Sequence, residues 1–125
     1  MVYECSLAIV IKNTDCSELA ALAMKLPNKY MSSVSSKTGH LSIWINDFDF
    51  NDWLVFDKTA CSFIEGLKVL GERLALEDSV FRIAIYYSLD ETVVLPLRFS
   101  KSLVKLVSEL SLSLDMTGYP CSDES

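Results

Sequence analysis

The stretch Tyr3–Ile11 reads YECSLAIVI, and its pattern decides the fold. Every second residue, beginning with the tyrosine, is apolar or a cysteine. An alternation with period two predicts a β-strand. The residues between them are a glutamate, a serine, an alanine and a valine, so the second face is also mostly small or apolar. We therefore expect this strand to lie at the centre of a sheet.

A helix and a hairpin are predicted after this strand. Asp15 with Glu18 resembles a capping box, and apolar residues then recur at helical spacing until Pro27 ends the helix. Residues 30–35 and 40–46 are two strand-like runs joined by a turn that contains a glycine. This arrangement is typical of a β-hairpin.

The second half of the chain repeats the mixture of helices and strands. The predicted elements are a short strand at 53–56, a helix capped by Asp57 and ending near residue 75, a strand at 80–88, an extended segment at 92–97, a helix capped by Ser100 and a closing strand at 112–116. Gly66 and Gly71 lie inside the second helix, and we expect them to make it irregular because glycine disfavours helix by up to ~1 kcal/mol.

These elements predict one domain, residues 1–120, followed by a flexible C-terminal tail, residues 121–125. Strands in hairpins with helices between them favour an α+β fold. We expect a two-layer sandwich in which a mainly antiparallel sheet has about three helices packed on one face. One of Tyr86 and Tyr87 must then face away from the helices, where it is either a cross-strand packing partner or an interface residue, and we expect packing.

The charge of the chain limits its partners. Its 125 residues include 11 Lys and Arg against 17 Asp and Glu, a formal net charge of −6. That balance repels phosphate, so we expect no direct nucleic-acid binding and no anionic membrane surface as partner. The sequence lacks a signal-peptide pattern and a membrane-length apolar stretch, which predicts a cytoplasmic protein with reduced cysteines. The acidity suits a basic protein partner, although solubility explains it equally well.

Motifs for catalysis and for cofactors are missing. The chain has a single histidine, His40, and its four glycines are scattered, without a phosphate loop, dinucleotide fingerprint or nucleophile elbow. Asp47, Asp49 and Asn51 match the first ligand positions of a calcium loop, but Asp52 replaces the glycine and Lys58 the final glutamate. We therefore expect no enzyme, no metal and no cofactor.

The segment Asp47-Phe48-Asp49-Phe50-Asn51-Asp52-Trp53 is the most unusual in the chain because it mixes acids with aromatic residues. In one interpretation it is a solvated turn whose phenylalanines enter the core. In the other it is a binding patch, because aromatic anchors ringed by charge are typical of protein interfaces. The candidate binding residues are Asp47, Asp49, Asp52, Trp53 and Trp44.

The order of elements resembles a family. A tryptophan-bearing hairpin strand at 40–46, a long helix, and the ending LPLRFS (95–100), helix and LSLDMTGY (112–119) resemble bacterial immunity proteins of polymorphic toxin and contact-dependent growth-inhibition systems. The resemblance implies that the chain binds and neutralises a cognate toxin domain, a basic nuclease in many such systems, by blocking its active site or substrate access. The alternative is a small regulatory or ligand-binding α+β module that acts as a homodimer. The oligomeric state, monomer or homodimer, stays open.

Overall fold

The computed structural model describes residues 2–12, 16–91 and 97–121. The strands are β1 (Tyr3–Ile11), β2 (Met31–Val34), β3 (Leu41–Trp44), β4 (Phe48–Phe50), β5 (Ser79–Ser88) and β6 (Ser113–Cys121). The helices are α1 (Cys16–Ala23), α2 (Trp53–Gly66), α3 (Arg73–Leu76) and α4 (Lys101–Glu109), with a 3-10 turn, Leu67–Leu70, between α2 and α3.

The strands form one sheet in the order β2-β3-β1-β5-β6, and β4 pairs with the first part of β1. All pairs are antiparallel except β5 with β6, which are parallel and connected by a crossover that includes α4. β1 therefore has neighbours on both sides, as its sequence predicts. The predicted hairpin is β2 and β3, and the mainly antiparallel sheet is confirmed.

The helices cover one face of this sheet and complete a two-layer α+β sandwich. Their apolar residues pack against the odd-numbered residues of β1 and against the same face of β3 and β5. The largest fully buried side chains are Phe56, Phe63 and Phe81. Burying a side chain of this size contributes roughly 1.5–3 kcal/mol, so the predicted fold class rests on a substantial apolar core.

A β-bulge separates β3 from β4. Ala8 of β1 pairs with Trp44 and Cys5 pairs with Phe48, so two residues of β1 lie opposite three residues of the other chain segment. One extra residue in a strand reverses the alternation beyond it. The odd-numbered residues of β3 face the core, whereas in β4 the even-numbered residues do, and Asp49 is placed on the other face.

Three sequence predictions need correction. Residues 47–53 are not simply a loop, because they contain β4. Residues 53–56 are not a strand, because Trp53 begins α2. The cap of this helix is Asp52 and not Asp57: an Asp52 carboxylate oxygen accepts a hydrogen bond from the backbone N–H of Leu54 at 2.9 Å. The cap and the burial of Phe56 in the helical layer outweigh the local strand preference of this stretch.

The two glycines divide the predicted second helix. α2 ends at Gly66, and Gly71, with φ of 48°, separates the 3-10 turn from α3. At the C-terminus β6 includes Cys121, the first residue of the predicted tail. The predicted cap at Asp15, residues 92–96 of the predicted extended segment and residues 122–125 lie outside the described part of the chain.

Candidate functional site

The second face of the sheet has no helix packed on it within the described residues, and we call it the open face. Side chains from all six strands are arranged across it in rows, because neighbouring residues in the sheet point to the same side. The acidic–aromatic row contains Asp49, Glu4, Tyr86 and Tyr119. The small row contains Ser6, Ala84 and Thr117. The Trp–Arg row contains Met31, Trp44, Ala8, Arg82 and Asp115.

A depression of about 500 Å³ occupies the middle of the open face. Its floor is formed by the small side chains of β1 and β5. Its lining includes Ser6, Ala8, Ala84 and Thr117, with Arg82, Asp115 and Tyr119 as the larger residues. The depression exists because the small row lies between two rows of longer side chains, and it is open to solvent.

The acidic–aromatic row contains two carboxylates directly opposite one another. Glu4 of β1 and Asp49 of β4 are cross-strand neighbours, and both are exposed. Like charges in this position destabilise a sheet by roughly 0.2–1 kcal/mol. Neither carboxylate makes an ion pair with any residue in the described part of the chain. This end of the open face therefore carries negative charge that no described residue neutralises through an ion pair.

Two tyrosines continue the same row. The rings of Tyr86 and Tyr119 are stacked, with centroids 5.0 Å apart and planes inclined by 17°. Partial burial raises the pKa of Tyr86, and Tyr119 and the carboxylates of Asp47 and Glu4 raise it further. The expected cross-strand packing role of Tyr86 is confirmed.

The five predicted binding residues do not form one patch. Trp44 and Asp49 share the open face, about 13 Å apart along the strands at ~3.3 Å per residue. Asp47 lies in the bulge between them and is exposed. Asp52 caps α2, and Trp53 is on the helical side of the sheet. The bulge and the helix start therefore divide the acidic segment between two faces.

Trp53 is a packing residue in this arrangement. It is half-buried, and its ring lies 5.0 Å from that of Phe50, 5.3 Å from Phe56 and 5.7 Å from Tyr3, measured between centroids. Phe50 is buried and Phe48 packs against the core. The phenylalanines therefore enter the core, as the solvated-turn interpretation expects, but the segment forms β4 and the start of α2 and not a turn.

Glu4 and Tyr119 are not among the candidates from the sequence, and for Tyr86 the sequence favours packing over an interface role. Their local sequences contain no unusual pattern: Glu4 is a polar residue in a strand, and Tyr119 lies near the end of the chain. Only the register, which pairs Glu4 with Asp49 and Tyr86 with Tyr119, brings them together. One pattern in the sequence could have indicated Glu4 as a candidate binding residue. The even-numbered face of the Tyr3–Ile11 strand carries this one acid among small or apolar residues.

The remaining reactive groups are separate from the open face. Cys5 is buried beneath the sheet, and its burial together with the carboxylate of Asp47 raises its pKa to about 12. Cys61 is half-buried, and burial also raises its pKa.

No group of three metal-ligating side chains is close enough to hold an ion among the residues described. Within the same residues, no helix has the length and apolar character needed to cross a membrane.

Comparison with known proteins finds no relative. No protein-family model matches the chain, and neither a curated protein nor a solved structure matches it significantly. The fold and the site together define an α+β two-layer sandwich in which no described helix packs on the second sheet face, and that face is acidic and aromatic around a shallow depression.

Proposed function

We propose that this chain is an immunity protein that acts in the cytoplasm by binding a basic toxin domain through its open face. Binding, and not catalysis, is its role. The observation that carries the proposal is the sheet face on which no described helix packs, where the strands present three carboxylates (Glu4, Asp49 and Asp115) and one guanidinium (Arg82) beside the exposed Tyr119 and the half-buried Trp44 and Tyr86. The family resemblance of the sequence supplies the kind of partner.

Charge supports a basic partner over a second copy of the chain. The whole chain carries −6 and the open face has the same sign, so two open faces repel each other. A basic nuclease is attracted, and its approach is accelerated at low ionic strength. A domain that covers the active site of such a nuclease excludes the nucleic acid by steric blocking and by repulsion of phosphate.

The size of the open face fits a protein interface. The sheet is five strands wide at ~4.8 Å spacing, with β1, β5 and β6 nine or ten residues long and β2, β3 and β4 three or four, which gives a face on the order of 600 Å². Stable complexes bury roughly 800 Å² per partner, so this face with its rim is sufficient. Trp44 and the Tyr86–Tyr119 pair supply the aromatic residues that commonly dominate binding energy.

The depression favours a second candidate function, a ligand-binding module. Its volume of about 500 Å³ falls within the ~300–1,000 Å³ that is usual for small-molecule sites. Such sites are enclosed and mainly apolar, however, whereas this one is open and lined largely by small and polar side chains. The protein partner is therefore the better fit.

The immunity function predicts that a toxin domain is encoded next to the gene for this chain, and the test uses that domain. Co-expression with this chain is expected to restore growth, and the two purified proteins are expected to form a one-to-one complex by calorimetry. Glu4→Gln, Asp47→Asn and Asp49→Asn combined should slow association at least tenfold at 50 mM salt, with a smaller effect at 500 mM salt, because screening removes the steering.

The matched control neutralises three exposed carboxylates of the helical layer, Glu65→Gln, Glu72→Gln and Glu109→Gln, so that both triple variants have the same net charge. The control should bind like the unchanged protein. Equal slowing in both variants would mean that overall charge, and not the open face, attracts the partner. The absence of any complex or growth rescue would contradict the immunity function itself.

A further inference from the structure

We propose that one edge of the depression on the open face, where Tyr119 borders it beside Tyr86 and Glu4, is a receptor for an arginine side chain of the basic partner. The inference rests on the proposed function and specifies what the partner must present. In this arrangement, the guanidinium lies on the exposed part of the Tyr86–Tyr119 pair and binds the carboxylate of Glu4.

The first argument is the unneutralised pair of carboxylates. Glu4 and Asp49 are direct cross-strand neighbours without an ion pair to any described residue. Such a pair repels, and an incoming cation relieves the repulsion and gains a charge-assisted hydrogen bond. The domain retains charges here that weaken its own sheet, which indicates that they serve binding.

The second argument is the aromatic pair beside these carboxylates. Tyr86 is the cross-strand neighbour of Glu4 on the side away from Asp49, and its ring is stacked on Tyr119, which is 44% exposed. A flat aromatic surface attracts a cation, and guanidinium both stacks on it and forms paired hydrogen bonds with carboxylate. An ammonium group lacks the planar fork, so the combination favours arginine over lysine.

The third argument is the shape and polarity of the depression. The small row leaves a trough between the acidic–aromatic row and the Trp–Arg row, about 13 Å across at ~3.3 Å per residue along the strands. Arg82 lies in the far wall and forms no ion pair with its neighbour Asp115. Its positive charge disfavours a cation at that end, so the incoming guanidinium is directed toward Glu4 and the tyrosines.

The test titrates the full chain with three capped peptides, Gly-Gly-Arg-Gly-Gly and the same peptide with lysine or citrulline at the centre, at 20 mM salt. Backbone amide shifts in NMR spectra report the site. The arginine peptide should give saturable shifts centred on Glu4, Ala84, Tyr86 and Tyr119. Its Kd should be at least threefold lower than that of the lysine peptide and at least tenfold lower than that of citrulline, which is neutral and of similar shape.

Two variants separate binding from structure. Tyr119→Leu should raise the Kd at least fivefold while the protein stays folded, because this ring is largely exposed. Glu4→Gln should also raise the Kd at least fivefold, yet it should move the urea midpoint upward, because it removes the repulsion with Asp49. A merely structural role for Glu4 would lower the midpoint. Glu72→Gln, on the helical layer, should leave the Kd unchanged.

Equal affinity for the citrulline peptide, shifts centred away from the depression, or an unchanged Kd in Glu4→Gln would overturn the proposal. These results are distinguishable from a failure of the proposed function. A toxin complex that forms although the arginine peptide does not bind would overturn the receptor alone. A peptide that binds at the depression without any toxin complex would support the receptor and contradict the immunity function.

Discussion

At the scale of single residues, Gly66 shows how one contact can make glycine better than alanine at the end of a helix, although helices ordinarily prefer alanine. Tyr30 reaches from the loop before β2 to the end of α2, and its hydroxyl donates a hydrogen bond to the carbonyl of Phe63 at 2.7 Å. A Cβ on residue 66 would overlap this hydroxyl and lie 2.7 Å from the ring Cζ. The glycine is therefore required by the tyrosine that closes the helix end.

We predict that Gly66→Ala lowers the free energy of unfolding by about 1–3 kcal/mol, because the tyrosine must move and its hydrogen bond is lost. An unobstructed helix would instead gain up to ~1 kcal/mol from this change. Urea unfolding measures the difference. In a Tyr30→Ala background the same substitution should cost much less, and an equal cost there would contradict the steric explanation.

Cys5 gives a prediction about pH. Burial raises its pKa from 9.0 to about 12, with a smaller contribution from Asp47. Because the folded-state pKa is raised, the stability linked to this thiol is fully present below pH 9 and is lost as pH rises toward 12. Between pH 9 and 10 the unchanged protein should lose about 1 kcal/mol more than Cys5→Ala does. Urea unfolding at both pH values tests this, and parallel losses would contradict it.

At the scale of elements, the start of α2 contains Asp52, a residue that we expect to contribute to stability and not to binding. Asp52 satisfies the N–H of Leu54, so Asp52→Ala should cost about 1 kcal/mol of unfolding free energy. Asp52→Asn should cost only a small fraction of that, because asparagine caps equally well. Both variants should bind the toxin domain with unchanged affinity, since the cap lies outside the open face. Weakened binding by a stably folded Asp52→Asn would return this residue to the interface.

The same segment shows how far an element can be predicted from its sequence. Acidic and aromatic residues alternate from Asp47 to Phe50, as in a strand. The extra residue of the bulge shifts this alternation relative to that of β3, so the sequence does not show that the two strands follow one another along β1. The run from Trp53 to Phe56 contains β-branched and aromatic residues, which locally favour strand, yet it forms the first turn of a helix. The deciding factors are a side-chain cap and the burial of Phe56, and the second of these depends on distant parts of the chain.

At the scale of the whole molecule, charge predicts the state of association. The net charge of −6 and the acidic open face should keep the chain a 14.0 kDa monomer at 50 mM salt, because two such faces repel. Sedimentation velocity measures the mass. A dimer at low salt that the triple open-face variant leaves intact would show that copies associate through another surface, and would favour the homodimeric alternative.

Within the described residues, the sequence by itself determined the two-layer α+β class, the central position of β1, the β2–β3 hairpin and the cap of α4. Period-two and helical patterns show locally which residues are buried, and a capping serine marks locally where a helix begins. It also proposed Trp44 and Asp49 as binding residues, and the structure places both on the open face. Tertiary structure alone decided the parallel pairing of β6 and the row of Asp49, Glu4, Tyr86 and Tyr119. The physical reason is that register joins residues far apart in the chain, and a single bulge residue changes which face each side chain occupies.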